Sequence, residues 1–222
     1  MNKKLFAILL CGVLVIGTTG CGSKKAEESN NNSGNNSKET SGETKKDSYS
    51  IEDNKIFFFK VNGKTFKAGD KISDLEKAGY SFSEKVQNTS IPKNRYLPAQ
   101  TVVDKDGNEV FDVIPINMTD DTILAKDATI AGIEFGNYNT SKVSEATKAL
   151  DIEVVGGLKL GATIDDIHKL LGEETFKHEQ AATTIAGYTT YKYSKGYKSY
   201  EFIIDDSGKL SQIHWNNYSY DE

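Results

Sequence analysis

Two stretches set 92 positions apart share one pattern, and that pattern limits the possible folds more than any other feature of the chain. Residues 158–176 read LKLGATIDDIHKLLGEETF, and residues 66–82 read FKAGDKISDLEKAGYSF. Overlaid, Gly69 falls on Gly161, Ile72 on Ile164, Asp74 on Asp166, Leu75 on Ile167 and Lys77 on Lys169. Each copy sets a glycine ahead of a short helix with apolar residues three or four apart, and a second glycine (Gly79, Gly172) where that helix stops. Strand-like sequence follows each copy. One helix on a few strands has a thin core, so two such units packed side by side are the expected solution.

The expected order follows from turn and capping chemistry. Residues 56–61 (IFFFKV) and 64–67 are strands joined at Asn62-Gly63, a pair suited to the two positive-φ positions of a type I′ turn. Asp70 or Ser73 caps the first helix, and residues 81–99, with Pro92 and Pro98, read as loop. Residues 100–103 and 110–118 are strands around the turn at 104–109, and Pro115 marks an edge or a bulge. That turn departs from a calcium loop, because it lacks the third ligand before the glycine and the distant glutamate. Residues 129–135 form a strand, 141–150 a short helix and 152–155 a strand. Thr163 or Asp165 caps the second helix, and strands follow at 183–194, 198–205 and 209–216. The fold class expected is α+β: a helix on an antiparallel sheet, twice over, in units 51–139 and 140–222.

The first 50 residues have a different character. Lys3 and Lys4 precede an apolar run from Leu5 to Ile16, roughly 12 residues where a membrane span needs about 20. Thr18-Thr19-Gly20-Cys21 then sets small residues before a cysteine. This resembles the lipobox of bacterial lipoproteins, with Thr18 standing where leucine is usual. The resemblance implies a signal peptide at 1–20, diacylglyceration of the Cys21 thiol and cleavage just before it, which places the protein on the extracytoplasmic face of the cell membrane. Cys11 lies in the removed segment, so the mature chain has no disulfide framework. Residues 21–50 read as a lipid-anchored flexible tether, since Ala26 and Tyr49 are the only hydrophobic residues in 22–50. A coil of that length spans roughly 30 Å on average.

The segment ending in LLGE, with YKYSKGYKSYEFIIDDSGKLSQI after it, resembles the repeat unit of β-lactamase-inhibitor-protein-like domains and of small lipoproteins related to them. Residues 56–216, with VNGKTF near the start and GGLKLG midway, resemble lipoproteins of Gram-positive bacteria. In the inhibitor family two tandem units form a concave sheet that clasps a protein partner. No inhibitory-loop residue is matched, so inhibition itself is not implied.

Composition narrows the function. Without residues 1–20 the chain holds 25 basic and 32 acidic residues, a net charge of −7, and Arg95 is the one arginine. A nucleic-acid partner is not expected. His168, His178 and His214 have no metal-ligand spacing, no phosphate loop or nucleophile elbow is present, and no cofactor is implied. The remaining signal is aromatic. Tyr188, Tyr191, Tyr193, Tyr197 and Trp215, with Glu201 beside them, are the candidate binding face, because exposed Tyr and Trp are what interfaces use. The reading is a non-catalytic, membrane-anchored module that binds a protein or cell-wall partner. The alternatives are a cell-envelope enzyme with its site between the units, and a structural accessory lipoprotein.

Overall fold

Asn62 and Gly63 both have positive φ, 47° and 79°, and they close a tight hairpin between β1 (Phe58–Val61) and β2 (Lys64–Lys67). In the computed structural model this hairpin is one layer of the fold. The structure describes residues 49–136, 143–171, 176–179 (backbone only) and 187–218. The leader, Cys21, nearly all of the tether, residues 141–142, Gly172 and residues 183–186 lie outside the described residues.

The main layer is an antiparallel sheet of eight strands. Its order is β10 (Phe176–Glu179), β11 (Thr189–Lys195), β12 (Lys198–Ile204), β13 (Leu210–Asn217), β8 (Thr129–Phe135), β6 (Glu109–Ile116), β5 (Gln100–Val103) and β3 (Ser81–Phe82). A three-stranded sheet, β2–β1–β9 (Ile152–Glu153), packs on one face of it, and β4 (Ser90–Ile91) pairs with β7 (Ile123–Leu124). Among the described residues there are four short α-helices: α1 (Ile72–Lys77), α2 (Glu84–Gln87), α3 (Glu145–Lys148) and α4 (Ile164–Leu171). The fold is therefore α+β, with little helix and mostly antiparallel sheet. Among the described residues no helix is long and apolar enough to cross a membrane.

The core lies between β1 and the large sheet. Phe59 meets Phe66, Phe111, Phe135 and Trp215, with ring centroids 5.2–6.5 Å apart, and Phe57 packs on Tyr200 at 5.5 Å. The Tyr200 hydroxyl, fully buried, donates to the Ile56 carbonyl at 2.8 Å, which satisfies the one polar atom of that ring. Ile72, Leu75 and Ile167 are buried in the same cluster, whereas Ile164 is only half-buried.

Local rules gave way in several places. Residues 54–56 form a 3₁₀ turn capped by Asp53, so β1 begins at Phe58 rather than Ile56. The 81–99 segment is not one loop, since β3, α2 and β4 lie within it. Neither Asp70 nor Ser73 caps α1; Lys71 precedes it, and the Asp70 carboxylate instead accepts from the Lys67 amide. At α4, Thr163 and Asp166 form a reciprocal pair: the Thr163 hydroxyl accepts from the Asp166 amide and the Asp166 carboxylate accepts from the Thr163 amide. The helix expected over 141–150 is the single turn α3 among the described residues. Pro115 sits at a register shift, where a missing N–H is tolerated.

Gly69 and Gly161 hold matching backbone positions. The Gly69 amide donates to Ile130 O at 2.8 Å and the Gly161 amide to Leu210 O at 2.7 Å. The returning bonds run from Ile130 N to Asp70 O and from Leu210 N to Ala162 O, both 2.8 Å. Their φ angles are 91° and 88°, and a Cβ at either would meet nothing within 4 Å. Strain in φ is then the whole penalty for a side chain. Gly69→Ala and Gly161→Ala should each cost about 1–2 kcal/mol and agree within about 0.5 kcal/mol in urea denaturation. A clear inequality would mean that the two turns are held differently.

Candidate binding face of the sheet

Directly paired residues on neighbouring strands share a sheet face, so register decides which side chains meet. Tyr193 pairs Tyr200, Tyr200 pairs Trp215, Trp215 pairs Ile133 and Ile133 pairs Val113. This row faces β1 and is core throughout. The next row lies on the opposite face. Lys192 pairs Glu201, Glu201 pairs His214, His214 pairs Glu134, Glu134 pairs Asp112 and Asp112 pairs Thr101. One line of five titratable side chains thus crosses five adjacent strands, and Thr101 ends it on a sixth.

The aromatic face expected from the sequence is not assembled. Tyr193 is 4% exposed and Trp215 is fully buried, because register sets both in the Tyr200 row. Tyr191 is half-buried on the core side, edge-on to His168 with centroids 5.6 Å apart. Tyr188 is half-buried just before β11. Tyr197, 49% exposed in the β11–β12 turn, lines a separate hollow with Met118 and Tyr218. Of the six, Glu201 alone stands in the polar row. The side chain of His178 lies outside the described residues.

The row is electrostatically uneven. Lys192 Nζ reaches Glu201 Oε1 at 2.6 Å, with both side chains partly open to solvent. Burial first, then the negative charges of Asp112 and Glu201, hold the Glu134 carboxyl up at about 7. Burial also raises Asp112, against the Thr101 hydroxyl that donates to it. His214 is 7% exposed, and burial pushes its imidazole down to about 4, opposed by Glu201 and by the Gly136 carbonyl 3.3 Å from Nε2. A cleft of about 90 Å³ opens at this end of the row, bounded by Thr101, Glu109, Asp112 and Glu134 on the sheet, by Gly136 just past β8 and by Ser144 and Thr147 of the α3 segment. α3 is held there by the Ser144 hydroxyl donating to Glu109 O and by the Thr147 hydroxyl donating to Val110 O.

The row left a trace in the sequence. Asp112 interrupts EVFDVIPI, Glu134 interrupts TIAGIEF, and His214 stands between Ile213 and Trp215. Each is a titratable residue with apolar residues on both sides along its strand, and such residues are rare without a partner or a role. Elsewhere on the surface, a larger groove of about 490 Å³ lies between the Gly156-Gly157 turn and α4, flanked by Lys159 and Lys169. Gly156 is required there, since its φ is 63° and a Cβ would stand 2.1 Å from Leu170 Cδ1. Compared with protein-family models, with curated proteins and with solved structures, the chain matches none.

Proposed function

We propose that this protein is a lipoprotein anchored through Cys21 on the extracytoplasmic face of the membrane, and that it is a non-catalytic binding module for a protein or cell-envelope partner. The observation that carries the binding part is the aligned polar row on the sheet face turned away from the core. Sheets whose second face serves only solvent alternate their charges freely; here carboxylates stand opposite one another, an arrangement that costs stability and fits a surface completed by a partner. Nucleic acid is a poor candidate for that partner, since the three carboxylates of the row outnumber its one lysine.

Two tandem units, residues 51–139 and 140–222, account for the arrangement. The matching Gly69 and Gly161 bonds support this, as does a sheet order in which four strands from each half meet at β8 and β13. Two-unit domains of the β-lactamase-inhibitor-protein type, tethered to a membrane, are the resemblance that this reading extends.

Cys21→Ala tests the anchor. The variant should appear in the medium or remain uncleaved, whereas the wild type sediments with membranes; a variant that stays membrane-bound and normally processed would remove the lipoprotein reading. The binding face is tested by capture from envelope extracts with wild type and with Glu201→Lys, each checked for an unchanged melting temperature. Equal capture would move the site off this face. A second reading, an envelope enzyme with its site between the halves, draws on one observation. Glu134 and His214 face each other across the β8–β13 seam, and a carboxyl near 7 suits acid–base work.

A further inference from the structure

We propose that the hollow beside Tyr197 and Asn217 binds an uncharged sugar ring, presented by a glycan of the cell envelope. The site goes beyond the polar row and shares no residue with it. The ring chemistry follows from the hollow alone; the source of the ring rests on the anchored, extracytoplasmic location proposed above. Among the described residues, Met118 and Tyr197 are the large hydrophobic side chains left exposed, at 61% and 49%. They are far apart in the sequence, yet both line this one hollow of about 260 Å³, together with Tyr218. Tyr197 precedes β12 and Asn217 ends β13, and the pairing of Lys198 with Asn217 brings the two strand ends together. Tyr218 is held by Tyr96, with ring centroids 5.0 Å apart, and both pack on the cluster of Ile114, Ile116 and Ala131. That part of the aromatic wall is in place before a ligand arrives, which lowers the cost of ordering it.

The polar groups define the ligand class. Although 27% of the chain is charged, no described residue that lines the hollow is Lys, Arg, His, Asp or Glu. An ionic ligand would find no counter-charge there. The hollow offers amides and a phenol instead: Asn54, exposed in the 3₁₀ turn, the half-buried Asn217 and Tyr197. Among the described residues neither amide side chain makes a hydrogen bond, and nor does the Tyr197 hydroxyl. Thr129 is engaged, since its hydroxyl donates to Ile116 O at 3.3 Å. An amide side chain both donates and accepts, so a fitting ligand presents donors and acceptors side by side. Each sugar hydroxyl is both, and the C–H face of the ring is apolar and stacks on tyrosine. A proline-rich segment, another guest of aromatic-lined grooves, brings carbonyl acceptors and, at its prolines, no N–H for the amide oxygens. The volume lies just under the roughly 300–1,000 Å³ of drug-sized sites, which suits a single ring.

The test is a nuclear magnetic resonance titration of the isotope-labelled full chain, in a detergent without sugar headgroups. The probes are methyl β-glucopyranoside, N-acetylglucosamine, sodium glucuronate and tetraproline. Saturable shifts of the Asn54 and Asn217 side-chain amides by the two neutral sugars are expected, with Kd on the order of millimolar. Tyr197→Ala and Asn217→Ala should each weaken binding by about fivefold or more, with an unchanged melting temperature. Absence of a saturable shift with either neutral sugar overturns the proposal, as does binding that both variants retain. Tighter binding of glucuronate than of the neutral sugars, or binding of tetraproline with neither sugar, also overturns it. The wild type should further co-sediment with purified insoluble envelope glycan, and Tyr197→Ala should not. Sugar binding without co-sedimentation would uphold the pocket and sink the envelope source. The polar row stands or falls separately, on Glu201→Lys.

Discussion

Trp215→Ala should cost about 3–5 kcal/mol of folding stability, a third or more of what a domain of this size ordinarily has. The ring is fully buried between Phe57, Phe59 and Tyr200, with centroids 5.8–6.5 Å away. Its Nε1 makes no hydrogen bond, so truncation removes no polar contact and the loss is one of packing alone. Trp215→Phe should therefore recover most of it. Guanidinium denaturation followed by far-ultraviolet circular dichroism measures both. A loss below about 1 kcal/mol would place the ring at the surface, where its removal would weaken binding and spare the fold.

The same residue shows where sequence reading stops. Alternation within a strand is local, so the assignment of Tyr200, Phe202 and Ile204 to the core face is legible, and these three are buried. The face taken by Tyr193 and Trp215 depends on which residue pairs with Tyr200, and register is fixed by turns and by long-range pairing. The β8–β13 contact, between residues about 80 apart, carries no local signal. Elements set by short-range rules were readable: the Asn62-Gly63 turn, the Asp104 turn closed by the Asp106 and Asn108 amides, the Pro115 shift and α4. Asp112, Glu134 and His214 were each visible as titratable residues between apolar neighbours. Their alignment was not, because it exists only once five strands are in register.

That alignment predicts a pH signature in which two opposite slopes offset each other. Glu134 titrates near 7 in the folded chain against an ordinary 4.5, so the folded state holds this proton more tightly; the stabilisation is complete below about 4.5 and is lost as pH rises through 7. His214 titrates near 4 against an ordinary 6.5, so its stabilisation is complete above about 6.5 and is lost as pH falls toward 4. Over the shared window, about pH 4.5 to 6.5, one group loses stability with rising pH while the other gains it, and their sum is nearly flat. Glu134→Gln should unmask the histidine, giving a stability that climbs by up to about 3 kcal/mol across the window. Its gain over wild type at pH 8 should be smaller, about 1–2 kcal/mol, because Glu134 is partly open to solvent and screened. His214→Asn should show the reverse, a stability that falls as pH rises. The Asp112 and Glu201 carboxylates that face Glu134, and Lys192 beyond them, remain in both variants. Difference curves against wild type, from urea titrations at half-unit steps of pH, therefore isolate the two groups. Differences that do not vary with pH for either variant would mean that Glu134 and His214 are as well hydrated as surface residues, and that the row is not a buried, field-coupled set.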